Sequence, residues 1–163
     1  MSTHKPYRVD WNIGDLYAFE MNDDSNESSY YVLMLIVNII LEDWNVKGIE
    51  DEVSQVRFYI SDNMPDVKED LYESTPLCFR KGGVDAIGLL HPNIYTVNLY
   101  ERSKRKRPKD LVFIGSFDEQ LIKDKIPEIP SNERYPFFWG ELNKRDFLTA
   151  YSRQKKLEES FNK

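Results

Sequence analysis

Tyr30-Tyr31-Val32-Leu33-Met34-Leu35-Ile36-Val37-Asn38-Ile39-Ile40-Leu41 is one apolar run of twelve residues, interrupted only by Asn38. A membrane-spanning helix needs about 20 apolar residues, so the run is core rather than anchor. Periodicity cannot separate strand from buried helix where nearly every position is apolar. Composition can: Val32, Ile36, Val37, Ile39 and Ile40 are β-branched and stiff at χ1, which favours a central strand.

Working outward, Ile13 to Met21 reads as the strand before it, entered through Gly14-Asp15. Leu16, Ala18 and Glu20 share one face, and Tyr17, Phe19 and Met21 the other. The polar stretch Asn22 to Ser29 between the two runs has the composition of a hairpin loop. Val53 to Ile60 is expected as a third strand and Val67 to Tyr72 as a short helix opened by Pro65-Asp66. Leu77 to Phe79, Val84 to Leu90 and Ile94 to Tyr100 are expected as further strands, the last two forming a hairpin about His91-Pro92-Asn93. Leu111 to Ile114 resumes the β pattern. Ser116 and Glu119 have capping-box spacing for a helix over Phe117 to Lys125, ending before Pro127. Pro127 to Pro136 reads as an irregular crossing, and Glu141 to Phe161 as a C-terminal helix. The fold class expected is α+β: a twisted, mostly antiparallel sheet with a short helix and a longer C-terminal helix, curling toward a partial barrel being left open. A single domain over residues 1–163 is expected, with 1–8 and 160–163 mobile.

The chain is poor in the side chains that usually carry catalysis. His4, His91 and Cys78 are its only histidines and cysteine, and no pair of them has zinc-ligand spacing. Asp23-Asp24-Ser25-Asn26-Glu27 lacks the glycine and the distal glutamate of a calcium loop. Phosphate-loop and nucleophile-elbow patterns do not occur. His91 reads as a solvated turn residue and Cys78 as a buried structural thiol. No catalytic residue, metal or cofactor is expected, and a binding protein is favoured over an enzyme. A lone cysteine and a start, Met1 to Pro6, without the apolar stretch of a secretory signal lead to an expectation of cytoplasmic location, with no membrane partner.

Charge is unevenly distributed. The net charge is −6, yet Arg102, Lys104, Arg105, Lys106, Arg107 and Lys109 contribute six cations, so the remainder sets 16 basic against 28 acidic residues and carries −12. An acidic body repels nucleic-acid phosphates and is attracted to a basic protein surface. Glu42-Asp43-Trp44 and Glu50-Asp51-Glu52, if they share a rim, form an acidic patch with an aromatic anchor, and this is the expected protein-binding site. The alternative is a nucleic-acid-binding protein using 102–109, a stretch without interleaved aromatic rings for base stacking. Trp11 and Trp139 are the other tryptophans that could serve as contacts, core packing being the simpler reading of both.

Trp11-Asn12-Ile13-Gly14-Asp15-Leu16-Tyr17-Ala18-Phe19, the apolar strand from Tyr30, and Phe113-Ile114-Gly115-Ser116-Phe117 together resemble the immunity protein 26 family of bacterial polymorphic-toxin systems and related uncharacterised bacterial proteins. The resemblance implies a mainly β, cytosolic protein that protects its producer by binding a cognate toxin. It carries over no catalytic residue, since Gly14, Asp15, Tyr17, Gly115 and Phe117 read as architecture. The basic stretch and the C-terminal region lie outside the matched pattern, and the oligomeric state is left open.

Overall fold

The computed structural model describes residues 10–22, 29–46, 49–61, 71, 76–80, 82–100, 111–130 and 134–138. Three long antiparallel strands make its spine: β1 (Asp15–Asn22), β2 (Ser29–Val46) and β3 (Ile49–Ser61). A small hairpin follows, β4 (Gly83–Val84) with β5 (Leu90–His91). Then come β6 (Thr96–Tyr100), β7 (Val112–Ser116), the helix α1 (Glu119–Lys125) and β8 (Arg134–Phe138). The main sheet has six strands in the order β7-β1-β2-β3-β6-β8, antiparallel except for the β6–β8 pair, and it is open rather than closed into a barrel. The α+β, mostly antiparallel reading therefore holds. No described helix is long and apolar enough to cross a membrane.

The apolar run occupies the middle of β2, and alternation sends its side chains to opposite faces of the sheet. Val32, Met34 and Ile36 join Tyr17, Val56, Phe58, Val97 and Leu99 on one face, where Trp11 and Leu77 also pack. Leu33, Leu35 and Val37 join Leu16, Ala18 and Tyr59 on the other, covered by Phe117, Ile122, Ile126 and Ile129 from α1 and its flanks. Both faces are buried, which is why β2 has no polar alternation in this run. The third strand resolves its register by the same rule: Val56 and Phe58 share a face and Tyr59 takes the opposite one.

Polar residues enter the interior where they can pair. Asn38 donates to Gln55 Oε1 at 3.1 Å, and Gln55 donates on to Asn98 Oδ1 at 3.0 Å, bridging β2, β3 and β6. Arg57 Nε donates to Thr96 Oγ1 at 3.1 Å beside them. Tyr59 is an exception: its buried hydroxyl has no hydrogen bond of good geometry.

The sheet is pinned at one corner by Gly14, Asp15, Ser116 and Phe117. Gly14 donates its N–H to the Ile36 carbonyl and accepts the Phe117 N–H, both at 2.8 Å. Asp15 accepts the Asn12 N–H at 2.9 Å and the Ser116 hydroxyl at 2.7 Å. Gly14 has φ +98°, and a Cβ there would stand 2.3 Å from the Phe117 carbonyl oxygen, so no other residue fits.

Several sequence expectations fail for identifiable reasons. Leu77 to Phe79 is not a strand, although Leu77 is core and Arg80 and Ile94 form an isolated bridge. Val84 to Leu90 is not one strand but a hairpin with its turn inside it, because the Asp85 carboxylate and Gly88, at φ +87°, bend the chain there. The expected hairpin about 91–93 is therefore absent, and β6 pairs with β3 instead. The helix is capped by Asp118, which accepts the Leu121 N–H, while Ser116 is engaged with Asp15. The crossing expected over Pro127 to Pro136 gives way to β8 at Arg134, an edge strand where Pro136 is tolerated. The expected helix at 67–72, apart from buried Leu71, and the expected C-terminal helix at 141–161 lie outside the described residues, as do the termini expected to be mobile.

Gly14→Ala is expected to lose roughly 3 kcal/mol or more of stability in urea unfolding, since left-handed backbone strain and a backbone collision add. Tyr59 generates a second expectation. Burial pushes its phenol up to about 12, with nearby Arg57 pulling the other way. A phenol raised in the folded state contributes stability that is complete below its ordinary value near 10 and is lost as pH rises toward the folded value. Tyr59→Phe should leave stability at neutral pH unchanged or slightly higher, and should remove about 2 kcal/mol of the alkaline loss between those values. Denaturant titrations on both sides of this window check it.

Candidate functional site

The long hairpin of β2 and β3 outgrows its neighbours. β1 pairs with β2 up to the Leu16–Leu35 position, and β6 pairs with β3 from the Ser54–Leu99 position. The two strands continue together past these limits, with Ile40 opposite Val53, Leu41 opposite Glu52, Glu42 opposite Asp51 and Val46 opposite Ile49. At about 3.3 Å per residue the extension is an arm roughly 15 Å long. Among the described strands nothing flanks it.

The register of this arm sets Glu42-Asp43-Trp44 across from Glu50-Asp51-Glu52, the two segments expected to form one patch if they share a rim. Glu42 and Asp51 are directly opposed in register. Asp43 and Trp44 fall in a break of register between Glu42 and Val46. Glu50 lies one position from Asp51, and Glu52 is partly buried at the base. Sequence reasoning missed Leu41, which is 54% exposed beside this cluster; within the apolar run it was indistinguishable from core.

The other candidates separate clearly. Trp11 is core: buried, tilted against Tyr17 with ring centres 5.6 Å apart, and donating from Nε1 to Ser54 Oγ at 2.6 Å. Arg102, Lys104, Arg105, Lys106, Arg107 and Lys109 lie outside the described residues, as does Trp139. Topologically the basic stretch connects the end of β6 to the start of β7. Cys78 is half-buried rather than buried, its thiol directed to the Arg80 carbonyl at 3.2 Å. Among the described residues no group of three or more His, Cys, Asp or Glu gathers as metal ligands would.

His91 is exposed, as the sequence suggested, but it is not merely solvated. Its Nε2 meets Asp85 Oδ2 at 2.8 Å, while Asp85 Oδ1 accepts the N–H groups of Ile87 at 3.0 Å and Leu89 at 2.9 Å. The His91 contact first, and these backbone bonds after it, hold the Asp85 carboxyl below its usual value. An open cavity of about 320 Å³ adjoins the pair, lined also by Arg80, Val84, Leu90 and Ile94. Among the described residues its lining includes no serine, threonine or cysteine. The pair serves the turn.

No protein-family model, curated protein or solved structure matches this chain.

A depressed carboxylate contributes stability above its ordinary value and loses it as pH falls through its folded value. Acidification below the usual carboxylate range should therefore open the 85–91 turn. Asp85→Asn should reproduce that opening at neutral pH. Amide exchange at Ile87 and Leu89 should speed in the variant, with the global unfolding midpoint little changed because the group is exposed.

Proposed function

We propose that this chain is a non-enzymatic, cytoplasmic binding protein that neutralises a toxin protein by covering its functional surface, with the acidic arm as the contact. The observation that carries the reading is the opposition in register of Glu42 and Asp51 on an arm that extends past the flanking strands. Repulsion between them is relieved when a basic surface docks, so stability given up in the free protein is recovered in the complex. The resemblance of Trp11 to Phe19 and Phe113 to Phe117 to the immunity protein 26 family is in keeping with the same class of function. Leu41 and Trp44 lie within this acidic arm and supply the apolar contacts such a patch needs.

The partner expected is basic, as many proteins acting on nucleic acid are. Steering by the arm should accelerate association, and the acceleration should fall with salt. The reading that competes is nucleic-acid binding by the six cations between residues 102 and 109. A tagged protein drawn through the producer's lysate with and without nuclease separates the two. Recovery of one nuclease-resistant protein supports the toxin reading, and recovery of only nucleic-acid-dependent material overturns it.

With the partner in hand, reversing Glu42, Asp43, Glu50, Asp51 and Glu52 should weaken binding at least roughly tenfold, chiefly through the association rate. Glu42→Lys alone is the sharper test. It should stabilise the free protein by ~0.5 kcal/mol by converting a like-charge pair into an opposite one, while weakening the complex. Unchanged affinity in the fivefold variant would remove the arm from the interface.

A further inference from the structure

The hairpin of β4 and β5 exposes more large aliphatic surface than any other described segment. Val84 is 68% exposed, Ile87 81%, Leu89 57% and Leu90 78%. Val84 and Leu90 are directly paired, and Ile87 sits at the turn between them. Exposed aliphatic side chains gathered in one turn mark a surface that meets something apolar.

The turn is also built to lose water. The Asp85 N–H donates to the Leu89 carbonyl at 2.9 Å, and the Gly88 N–H to the Asp85 carbonyl at 3.1 Å. The N–H groups of Ile87 and Leu89 are taken by the Asp85 carboxylate, whose other oxygen faces His91. Between residues 84 and 90 Asp85 is the only polar side chain, and its bonding is met within the hairpin. Backbone and side-chain groups satisfied internally are the condition for entering a low-dielectric phase without the desolvation cost of bare donors.

Charge selects the occupant. From Pro76 to Tyr100 the chain has a single carboxylate, Asp85, against Arg80 and Lys81, whereas the chain as a whole has 28 acidic residues. The hairpin joins the sheet at the N-terminal end of β6, where Thr96 pairs with Arg57, and the acidic arm departs beyond the other end, where Leu99 pairs with Ser54. The apolar, cationic feature and the acidic one are thus separated along β6. A turn of this size falls far short of the roughly 800 Å² per partner of a stable protein interface. It suffices for shallow insertion beneath lipid headgroups, with Arg80 and Lys81, next to it in sequence, supplying positive charge for the phosphates.

We infer that the 82–93 hairpin is a peripheral membrane-docking element that inserts Val84, Ile87, Leu89 and Leu90 into the interface of an anionic lipid surface. Binding is reversible and does not involve spanning. The inference stands independently of the toxin reading, since it uses neither the arm nor a protein partner.

Flotation of the full chain with vesicles of phosphatidylcholine alone, and of phosphatidylcholine mixed with phosphatidylglycerol, tests it. The protein should float with the mixed vesicles, less with the neutral ones, and less again at high salt. Ile87→Ser with Leu90→Ser should weaken binding roughly tenfold or more while leaving the circular dichroism spectrum and urea midpoint unchanged. Ile87→Ser alone should give an intermediate loss, which guards against misfolding of the double variant. The inference is overturned if the unaltered protein stays unbound with both vesicle types, as a hairpin serving a protein groove would. It is overturned equally if the double variant floats as well as the original, which would assign lipid binding to the 102–109 cations.

Discussion

The amide and carbonyl of Gly14, each bonded across the sheet, hold together parts of the chain that sequence separates widely. Gly14 binds the Ile36 carbonyl on one side and the Phe117 amide on the other, while Asp15 takes the Ser116 hydroxyl. The entry to β1, the centre of β2 and the exit from β7 are thereby fixed at one corner. Their spacing sets where α1 begins, and α1 with its flanks supplies Phe117, Ile122, Ile126 and Ile129 to cover the second face of the sheet. Tyr17 and Phe113, edge to face at 5.5 Å, extend the same join onto the first face. A side chain at Gly14 would break this arrangement at its narrowest point, which makes the glycine a condition of the fold rather than a preference.

What could be read in the sequence follows from how local each determinant is. The β1 and β2 strands and their faces were legible because alternation and β-branching act over a few residues, and the two hydrophobic clusters follow directly from them. The 84–90 segment was misread because four of its seven residues are large and aliphatic. One carboxylate, reaching two and four residues ahead, decides that the segment turns instead of extending. Ser116 was misassigned as a helix cap because its partner, Asp15, is 101 residues away, and Asp118 was free to take the role. Long-range pairing of this kind leaves no trace in composition.

The candidate site was legible as two acidic segments that form one patch only if they share a rim. Glu42-Asp43-Trp44 and Glu50-Asp51-Glu52 are both acidic, but their convergence requires that β2 and β3 form a hairpin with these residues in register. Length hid this as well: strands of 18 and 13 residues exceed the usual size, and apolar patterning stops before the strands do.

The sheet therefore separates two chemistries along its strands. At the arm, Glu42 and Asp51 stand opposite one another in register. At the β4–β5 hairpin, aliphatic side chains are held out in water by a turn in which the N–H groups of Asp85, Ile87, Gly88 and Leu89 are bonded within the turn. Between them lies a core in which polar groups are admitted mainly in pairs, as with Asn38, Gln55 and Asn98 across three strands. That buried ladder ties β2, β3 and β6 in fixed register, since a slip of one residue would strand its amides in apolar surroundings at a cost no surface contact repays. Fixed register at the centre is what makes the ends reproducible: Glu42 faces Asp51, and the hairpin enters beside Thr96, because Gln55 and Asn98 allow no other alignment.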